Sequence, residues 1–139
     1  RHTEYTDKIE HFIKENKLEE RVHIISNVPF DDLPAFYQLA EIFVYPSRFE
    51  GFGIPIIEAL YSGIPVVAAT GSCLEEAGGP DSIYVHPDDI KGMANAFKQI
   101  YSDTERKKEM IEKGQKFAKR FSEEKQAEEI LNIYKKLMK

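Results

Sequence analysis

The sequence predicts an α/β fold, a parallel sheet with helices on its faces, and three observations support this. Strand-like and helix-like segments alternate along the chain, as they do in parallel α/β folds. Ile42–Tyr45 is apolar on both faces, which is typical of a central parallel strand. A glycine-rich loop leads from that strand into a helix, where open parallel sheets bind their ligands.

Short apolar runs bounded by turn residues predict the strands. In chain order they are Val22–Ile25, Ile42–Tyr45, Pro65–Ala69 and Ile83–Val85. Between them, helical spacing predicts a first helix from about Tyr5 to Lys17, with an apolar face formed by Ile9, Phe12 and Ile13. We expect Asp31 to cap a short second helix that tolerates Pro34 in its first turn. The apolar residues of that helix are Leu33, Phe36, Tyr37 and Ala40.

A third helix is predicted over Ile54–Ser62, with Gly63 placed to end it. After the fourth strand the chain becomes helical, and its C-terminal helices cover about 103–139. Asp88 or Asp89 can cap a helix whose inward residues are expected to be Met93, Ala94, Phe97 and Tyr101. Ser102 and Glu105 have the spacing of a capping box. Ser122 is expected to cap the last helix, whose apolar stripe is Ala127, Ile130, Leu131, Tyr134, Leu137 and Met138.

Composition excludes several classes of protein. The chain has 139 residues, 42% of them hydrophobic, a net charge of −5 and no dense basic block, which argues against nucleic acid as the main partner. The single cysteine, Cys73, cannot form an internal disulfide and fits a reducing compartment. No apolar run is long enough to span a bilayer, and the first residues do not resemble a signal peptide. The chain also lacks an initiator methionine, so we expect it to be a piece of a longer protein.

The segment Phe49–Leu60 carries the chemistry that the sequence offers. It follows a predicted buried strand and opens a helix whose first residues, Gly53, Ile54 and Pro55, have no capping side chain. The amides of that first turn therefore lack a partner and, with the helix dipole, form an anion site. Gly51 and Gly53 permit a ligand to approach the backbone closely.

Two carboxylates, Glu50 and Glu58, bracket the start of this helix. We expect Glu58 to lie in the first turn among apolar neighbours, where a charged group needs a partner. Carboxylates accept hydrogen bonds from ribose or hexose hydroxyls. An acid in a first turn can equally be a favourable contact with the helix dipole, and a glycine-rich turn can be an ordinary loop. From the residues alone, the two interpretations stay open.

Seven residues separate Glu50 from Glu58, and this spacing resembles the E-x7-E motif of retaining GT-B glycosyltransferases, glycosyltransferase family 4 in particular. Similarity extends from about Val22 to Tyr134. Further matching segments are Asp32–Tyr37 (family pattern DLP-x-x-Y), Ile42–Ser47 (VFV-x-PS), Gly63–Ala68 (G-x-PVVA) and His86–Asp89. The resemblance implies a Rossmann-like C-terminal domain of a GT-B fold.

The resemblance also implies roles for individual residues. Glu58 would bind the ribose of the donor nucleotide, and Glu50, the expected catalytic residue, would bind hydroxyls of the donor sugar. The glycine-rich segment Gly51, Phe52, Gly53 and Ile54 would contact sugar and diphosphate through its backbone. Asn27 and Val28 would meet the base, with Asn27 replacing the family's glycine as a residue that tolerates a left-handed turn. The loop Gly71–Glu76 would close the far side, with Glu75 as a surface cap.

The family comparison further implies that residues 1–139 are a partial nucleotide-sugar-binding domain. Its first two strand–helix units, with an Arg and a Lys for the diphosphate, would be missing, as would the N-terminal domain that binds the acceptor. In the usual strand order the missing strands would lie between the Val22 strand and the other three. No metal is expected, because the histidines show no ligand spacing. Cys73 is expected to be structural, and His86 a strand-end residue.

The expected function is transfer of a sugar from a nucleoside-diphosphate sugar to an acceptor hydroxyl with retention of configuration, of hexosyltransferase type and in polysaccharide biosynthesis. The expected partners are the nucleotide-sugar donor, a glycan, glycolipid or small-molecule acceptor, and the missing domain, but not nucleic acid; no cofactor is expected. The isolated chain should be inactive and able to self-associate. We expect a cytoplasmic location, peripheral to the inner face of the membrane. A GT-B nucleotide-sugar epimerase and a non-catalytic nucleotide-sugar-binding module are the alternatives.

Overall fold

The computed structural model describes residues 3–138 and divides the chain into two compact units, Arg1–Asp32 and Leu33–Lys139. In the first unit, helix α1 (Glu4–Glu15) confirms the first predicted helix. Its N-cap is Thr3, whose hydroxyl accepts a hydrogen bond from the Thr6 amide at 3.3 Å. On the predicted apolar face only Ile13 is buried, while Phe12 is 60% exposed.

The predicted strand Val22–Ile25 is wrong, because this segment has no regular secondary structure. The Val22 amide donates instead to the nearby Leu18 carbonyl at 2.9 Å, and the Ile25 side chain is 59% exposed. A strand is stabilised by the ladder it forms with a neighbour. The three strands that pair within residues 3–138 do not include this segment, so its β-branched residues do not make it a strand.

The unit Leu33–Lys139 contains the sheet and the remaining helices. Its elements are α2 (Leu33–Leu39), β1 (Phe43–Tyr45), α3 (Ile54–Tyr61), β2 (Val66–Ala69), α4 (Leu74–Gly78), β3 (Ile83–Val85), α5 (Ile90–Ser102), α6 (Thr104–Ala118) and α7 (Glu123–Leu137). Asp31 does not cap α2 as expected. It lies inside a 3-10 turn, Phe30–Asp32, which the Asp32 amide closes by donating to the Pro29 carbonyl at 3.0 Å.

The sheet is parallel, with strand order β1–β2–β3, which confirms the predicted α/β fold. Within the described residues β1 is an edge strand, and its expected central position, which needs the missing strands that the family resemblance places beside it, stays a prediction. Its residues are only half-buried, whereas all four residues of β2 are buried. Helices can cover both faces of a strand whether or not both of its edges are paired, so apolar faces alone did not establish a central position.

Alternation along β2 directs its side chains into two separate cores. Val66 and Ala68 pack with α3 and α4, in a cluster that contains the fully buried Ile56 and Leu74. Val67 points to the other face, where α5 and α6 cover it. The sheet is therefore the middle layer, with helices on both faces, as the sequence predicted.

The end of α3 was predicted correctly. Gly63 has a φ of +76°, a left-handed conformation that glycine adopts readily. Its amide donates to the Leu60 carbonyl and the Ile64 amide to the Ala59 carbonyl, both at 3.1 Å. These paired bonds form a Schellman motif, which turns the chain directly into β2.

The inward face of α5 was predicted only in part. Ala96 and Ile100 are buried, and Met93 and Phe97 pack partly against them, a stripe with the three- and four-residue steps of a helix. Tyr101, expected inside, is 79% exposed. Ala94, also expected inside, is exposed, because neither residue falls on this stripe.

Apart from Asp31, the helix caps were predicted with one error. Asp89 caps α5 by accepting from the Gly92 amide at 2.8 Å, and Ser122 caps α7 by accepting from the Lys125 amide at 3.4 Å. The proposed capping box on Ser102 is wrong. Helix α5 continues through Ser102, and Asp103 caps α6 instead by accepting from the Arg106 amide at 2.9 Å. No helix within residues 3–138 is both long and apolar enough to cross a membrane.

The apolar stripe of α7 lies open to solvent. Its larger members are 51–86% exposed: Ile130, Leu131, Tyr134, Leu137 and Met138. Ala127 on the same stripe is exposed as well. Contiguous exposed apolar surface favours association.

We expect the 139-residue chain to self-associate at high concentration through α7. Replacing Leu131 and Tyr134 together with Lys should shift it towards monomer, because the change places charge on the stripe. Asn132→Lys is the matched control, since it adds charge at an exposed polar position of the same helix. Light scattering over a concentration series measures the effect, and a parent chain that stays monomeric throughout would contradict the prediction.

Candidate functional site

The loop between β1 and α3 presents the uncapped helix start that the sequence predicted. Gly53 is the N-cap residue of α3, with φ 102° and ψ 44°, and no side chain caps the helix. Pro55 lies in the first turn, and the Ile56 amide donates to the Gly53 carbonyl at 2.9 Å. Pro55 has no amide hydrogen and the Ile56 amide is bonded within the turn, so the Ile54 amide is the one in the first turn that is left for an anion or hydroxyl partner.

The two glycines of this loop have different surroundings. Gly53 is buried against α4, and a Cβ atom built on it would come within 2.9 Å of Leu74 Cδ2. Gly51 is exposed, and a Cβ atom there would meet nothing within 4 Å. Gly53 is thus required by packing and by its left-handed backbone, whereas Gly51 leaves open space in front of the loop.

Glu50 is anchored at both its side chain and its backbone. The Tyr45 hydroxyl donates to Glu50 Oε1 at 2.8 Å, and the Cys73 thiol donates to the Glu50 carbonyl oxygen at 3.1 Å. The hydrogen bond to Glu50, followed by burial, raises the pKa of Tyr45 above its ordinary value. Cys73 therefore has a structural role, as expected, because it ties the segment after β2 to the loop after β1.

Glu58 does not lie in the first turn of α3, as was expected. It is the fifth residue of a helix that begins at Ile54, and its first turn holds no acid. Because the helix dipole acts mainly within the first turn, the dipole explanation for Glu58 loses its support. The Tyr37 hydroxyl donates to Glu58 Oε2 at 2.8 Å. Burial, followed by this hydrogen bond, raises the pKa of Tyr37, so the hydroxyl keeps its proton.

One aromatic row connects the two carboxylates. The ring centroids of Tyr37 and Phe43 lie 5.6 Å apart, and those of Phe43 and Tyr45 lie 5.9 Å apart with nearly parallel planes. Phe43 and Tyr45 are two residues apart on β1 and so project to the same face. Sequence reasoning placed Tyr37 and Tyr45 in motifs but gave them no role; the available signal was two tyrosines flanking two acids that need partners.

The segment Gly71–Glu76 is not a loop throughout, because α4 begins at Leu74. The Glu75 carboxylate accepts hydrogen bonds from the Thr70 hydroxyl and, at 3.4 Å, from the Gly71 amide. Glu75 is exposed and stabilises this turn locally. This agrees with the expected surface cap.

An open cavity of about 570 Å³ lies beside the start of α3. Its lining combines apolar and charged side chains: Phe52, Ile54, Ile57, Glu76, Arg120, Phe121, Gln126 and Glu129. The Arg120 guanidinium lies 5.1 Å from the Phe117 ring centroid and 5.2 Å from that of Phe121. Such cation–π contacts orient the arginine at the rim of the cavity.

Asn27 and Val28, predicted to meet the base, belong to the other unit, Arg1–Asp32. Asn27 is exposed and Val28 is half-buried. The left-handed turn suggested for Asn27 is wrong, because within residues 3–138 Lys17 is the one non-glycine residue with positive φ.

Charged residues after β1 and β3 pair with each other. Arg48 donates to the Asp88 carboxylate, which lowers the pKa of Asp88. The His86 Nδ1 atom accepts from the Asp88 amide at 3.2 Å, a local contact that fits the expected strand-end role. The described part of the chain contains no cluster of three or more His, Cys, Asp or Glu residues able to hold a metal ion; His2 lies outside it.

With this geometry established, comparison with known proteins identifies the family. A family model described as Glycosyl transferases group 1 matches residues 2–117. The chain belongs to this family. The match includes the loop after β1, both glutamates and the segment with Asn27 and Val28.

Individual glycosyltransferases show the same relationship. The chain is 35% identical over 116 residues to O-antigen chain mannosyltransferase B of Escherichia coli, which covers 84% of the chain and 30% of that protein. It resembles the structure of sucrose-phosphate synthase from Thermosynechococcus elongatus at a TM-score of 0.83 and 28% identity, over 96% of the chain and 34% of that structure. These figures mean that the chain spans about a third of the length of its relatives.

A third relative was solved with a bound ligand. Anabaena Alr3699/HepE in complex with UDP-glucose matches at a TM-score of 0.76 and 25% identity, over 82% of the chain and 32% of that structure. The structural neighbours are GT-B glycosyltransferases, which agrees with a Rossmann-like C-terminal domain as the fold of this chain.

Replacing each loop glycine with alanine compares a glycine packed tightly against α4, Gly53, with one beside open space, Gly51. We expect Gly53→Ala to lower the free energy of unfolding by about 1–3 kcal/mol, because its Cβ meets Leu74 and its φ is left-handed. Gly51→Ala, the matched control, should change stability by less than about 0.5 kcal/mol. Urea denaturation of the two variants measures both effects. Equal losses would show that the packing around Gly53 is not the constraint.

Proposed function

We propose that the protein is a retaining glycosyltransferase of family 4 and hexosyltransferase type. In this proposal residues 1–139 are part of its C-terminal domain and supply the donor site, and residues 103–139 form C-terminal helices. The reaction would move a sugar from a nucleoside-diphosphate sugar to an acceptor hydroxyl with retention of configuration. Membership of the glycosyl transferases group 1 family supports this proposal.

The observation that carries the proposal is the arrangement of Glu50 and Glu58 around the start of α3. Each carboxylate accepts one tyrosine hydroxyl at 2.8 Å. Between them in sequence, α3 begins at Ile54, and its N-cap residue Gly53 offers no side-chain cap. A sugar nucleotide offers matching chemistry, since it has a diphosphate with hydroxyl-bearing rings on both sides. We assign the ribose to Glu58 and the donor sugar to Glu50, which makes Glu50 the catalytic residue of this chain.

The start of α3 would hold the charged centre of the donor. Backbone amides at Phe52, Gly53 and Ile54 can donate to diphosphate oxygens, and the helix dipole favours the negative charge there. Fixed donors of this kind stabilise charge that develops on a leaving group. Gly51, beside open space, would let the ligand approach the loop.

Other assignments rest on the resemblance to family 4. Asn27 and Val28 would contact the base, and a glycan, glycolipid or small-molecule acceptor would bind to a second domain. The O-antigen mannosyltransferase among the relatives supports a role in polysaccharide assembly. We propose a cytoplasmic enzyme that is peripheral to the inner face of the membrane.

Replacing the two glutamates separately tests the site. We expect Glu58→Ala to weaken binding of the free nucleoside diphosphate and of the donor alike, and Glu50→Ala to weaken the donor alone. A hydrogen bond to a charged group contributes about 1.5–3 kcal/mol, so each loss should be at least about tenfold. Calorimetry with UDP and UDP-glucose, and with GDP and GDP-mannose, on the natural protein that contains this sequence measures the affinities.

Glu105→Ala provides a control, because Glu105 is an exposed acid in the first turn of α6. If both site variants bind nucleotide and donor as the parent does, the assignment of the site is wrong even though the family is right.

We also expect transfer activity to persist in EDTA, since in this proposal backbone amides rather than a metal ion stabilise the leaving diphosphate. The measurement is the rate of sugar transfer by the natural protein before and after chelation. Loss of activity in EDTA that Mn²⁺ restores would contradict the proposed metal-free mechanism.

A further inference from the structure

Each carboxylate of the candidate site is held by a tyrosine from a neighbouring element. Tyr37 on α2 donates to Glu58 Oε2, and Tyr45 at the end of β1 donates to Glu50 Oε1, both at 2.8 Å. Hydrogen bonds to ionised acceptors are stronger than neutral ones. Each contact therefore fixes one oxygen of a side chain that otherwise has three rotatable bonds.

The two hydroxyls are themselves fixed by the aromatic row. Both tyrosine rings pack on Phe43, with centroid distances of 5.6 Å and 5.9 Å. Phe43 packs in turn against the buried cluster that contains Ile56 and Leu74. The positions of the hydroxyl groups thus depend on the core of the Leu33–Lys139 unit.

The second oxygen of each carboxylate is available to a ligand. Within residues 3–138 no hydrogen bond or ion pair involves Glu50 Oε2 or Glu58 Oε1. An ionised carboxylate has two oxygens and about four lone-pair positions. The tyrosine hydroxyl thus binds one oxygen of each carboxylate, and the second oxygen is left in a defined orientation.

We propose that Tyr37 and Tyr45 are positioning residues that orient Glu58 towards the nucleotide and Glu50 towards the sugar of the donor. This inference rests on the proposed function, because it assumes that the two glutamates bind those parts of the ligand. Each tyrosine acts through its glutamate without touching the substrate.

Replacing each tyrosine with phenylalanine tests the proposal, because the ring and its packing stay and only the hydroxyl is lost. Tyr37→Phe should weaken the free nucleoside diphosphate and the donor equally, by about three- to tenfold. Tyr45→Phe should weaken the donor by a similar factor and leave the free nucleotide unchanged. The probes are UDP with UDP-glucose and GDP with GDP-mannose, titrated into the natural protein that contains this sequence.

Tyr84→Phe is the matched control for a purely structural hydroxyl. The Tyr84 hydroxyl donates to the Gly79 carbonyl at 2.6 Å and to the Glu75 carbonyl at 3.3 Å, both backbone groups, rather than to Glu50 or Glu58. We expect this variant to lower the melting temperature and to leave both affinities unchanged. Melting temperatures of all variants, recorded without ligand, establish that each one is folded.

Double substitutions of a tyrosine and its glutamate distinguish a tyrosine that positions the glutamate from one that only stabilises the fold. If Tyr37 acts through Glu58, then Tyr37→Phe should cause no further loss of affinity in a Glu58→Ala background. The same should hold for Tyr45→Phe in a Glu50→Ala background. A tyrosine that only stabilises the fold would give additive losses, and those losses would not distinguish nucleotide from donor.

The outcomes separate this inference from the proposed function. Glutamate variants that bind normally would overturn both. If the glutamate variants weaken binding but the phenylalanine variants bind like the parent, or if the combined losses are additive, the positioning roles are wrong and the donor site stands. Both proposals are supported if the losses of affinity are non-additive within each tyrosine–glutamate pair and follow the stated pattern for nucleotide and donor.

Discussion

The complete burial of β2 is the constraint on which the rest of the Leu33–Lys139 unit depends. Val66, Val67, Ala68 and Ala69 are each at most 1% exposed, so helices must cover both faces of this strand. Burying an aliphatic side chain the size of Ile56 or Leu74 contributes about 1.5–3 kcal/mol. Two such residues pack against β2 from α3 and α4, which brings these helices into contact beside the same strand.

That contact determines how α3 can begin. Leu74 lies so close to Gly53 that a Cβ atom there would come within 2.9 Å of it, and the backbone at Gly53 is left-handed. A serine, threonine or aspartate cap would meet both obstacles. The uncapped helix start is therefore a consequence of packing in the core, and the same packing leaves the amides that we propose for the diphosphate.

The sequence predicts a feature of this structure well when neighbouring residues determine it, and less well when residues distant in sequence do. The Gly63 stop, the Asp89 and Ser122 caps and the three paired strands depend on local residues, and all were predicted. Two local cap predictions, Asp31 and Ser102, failed. The other failures depend on partners distant in sequence. Val22–Ile25 has strand composition but no ladder within residues 3–138. The stripe of α5 was misplaced because only the packed structure shows which helical face meets Val67.

The candidate site shows the same division. The spacing of Glu50 and Glu58 and the absence of a cap at Gly53 are visible in the sequence, so the sequence alone points to this candidate site. The tyrosine partners were not assigned. Tyr37 is 21 residues from Glu58 along the chain, and although Tyr45 is only five residues from Glu50, the sequence does not show that their side chains meet. The start of α3 at Ile54 was predicted correctly, but Glu58 was wrongly placed in its first turn. It is the fifth residue of the helix, and the dipole acts mainly over the first turn.

The charges around the start of α3 bear on how an acidic chain could bind an anionic donor. The net charge is −5, and two carboxylates flank the loop, so a diphosphate next to either one would be repelled. The hydrogen bond from each tyrosine hydroxyl holds one oxygen of its carboxylate in place. In the proposed site the carboxylates meet only hydroxyl groups, and the anion meets only backbone amides. Binding would then depend on the orientation of two side chains, and the hydroxyls of Tyr37 and Tyr45 would matter to affinity as well as to structure.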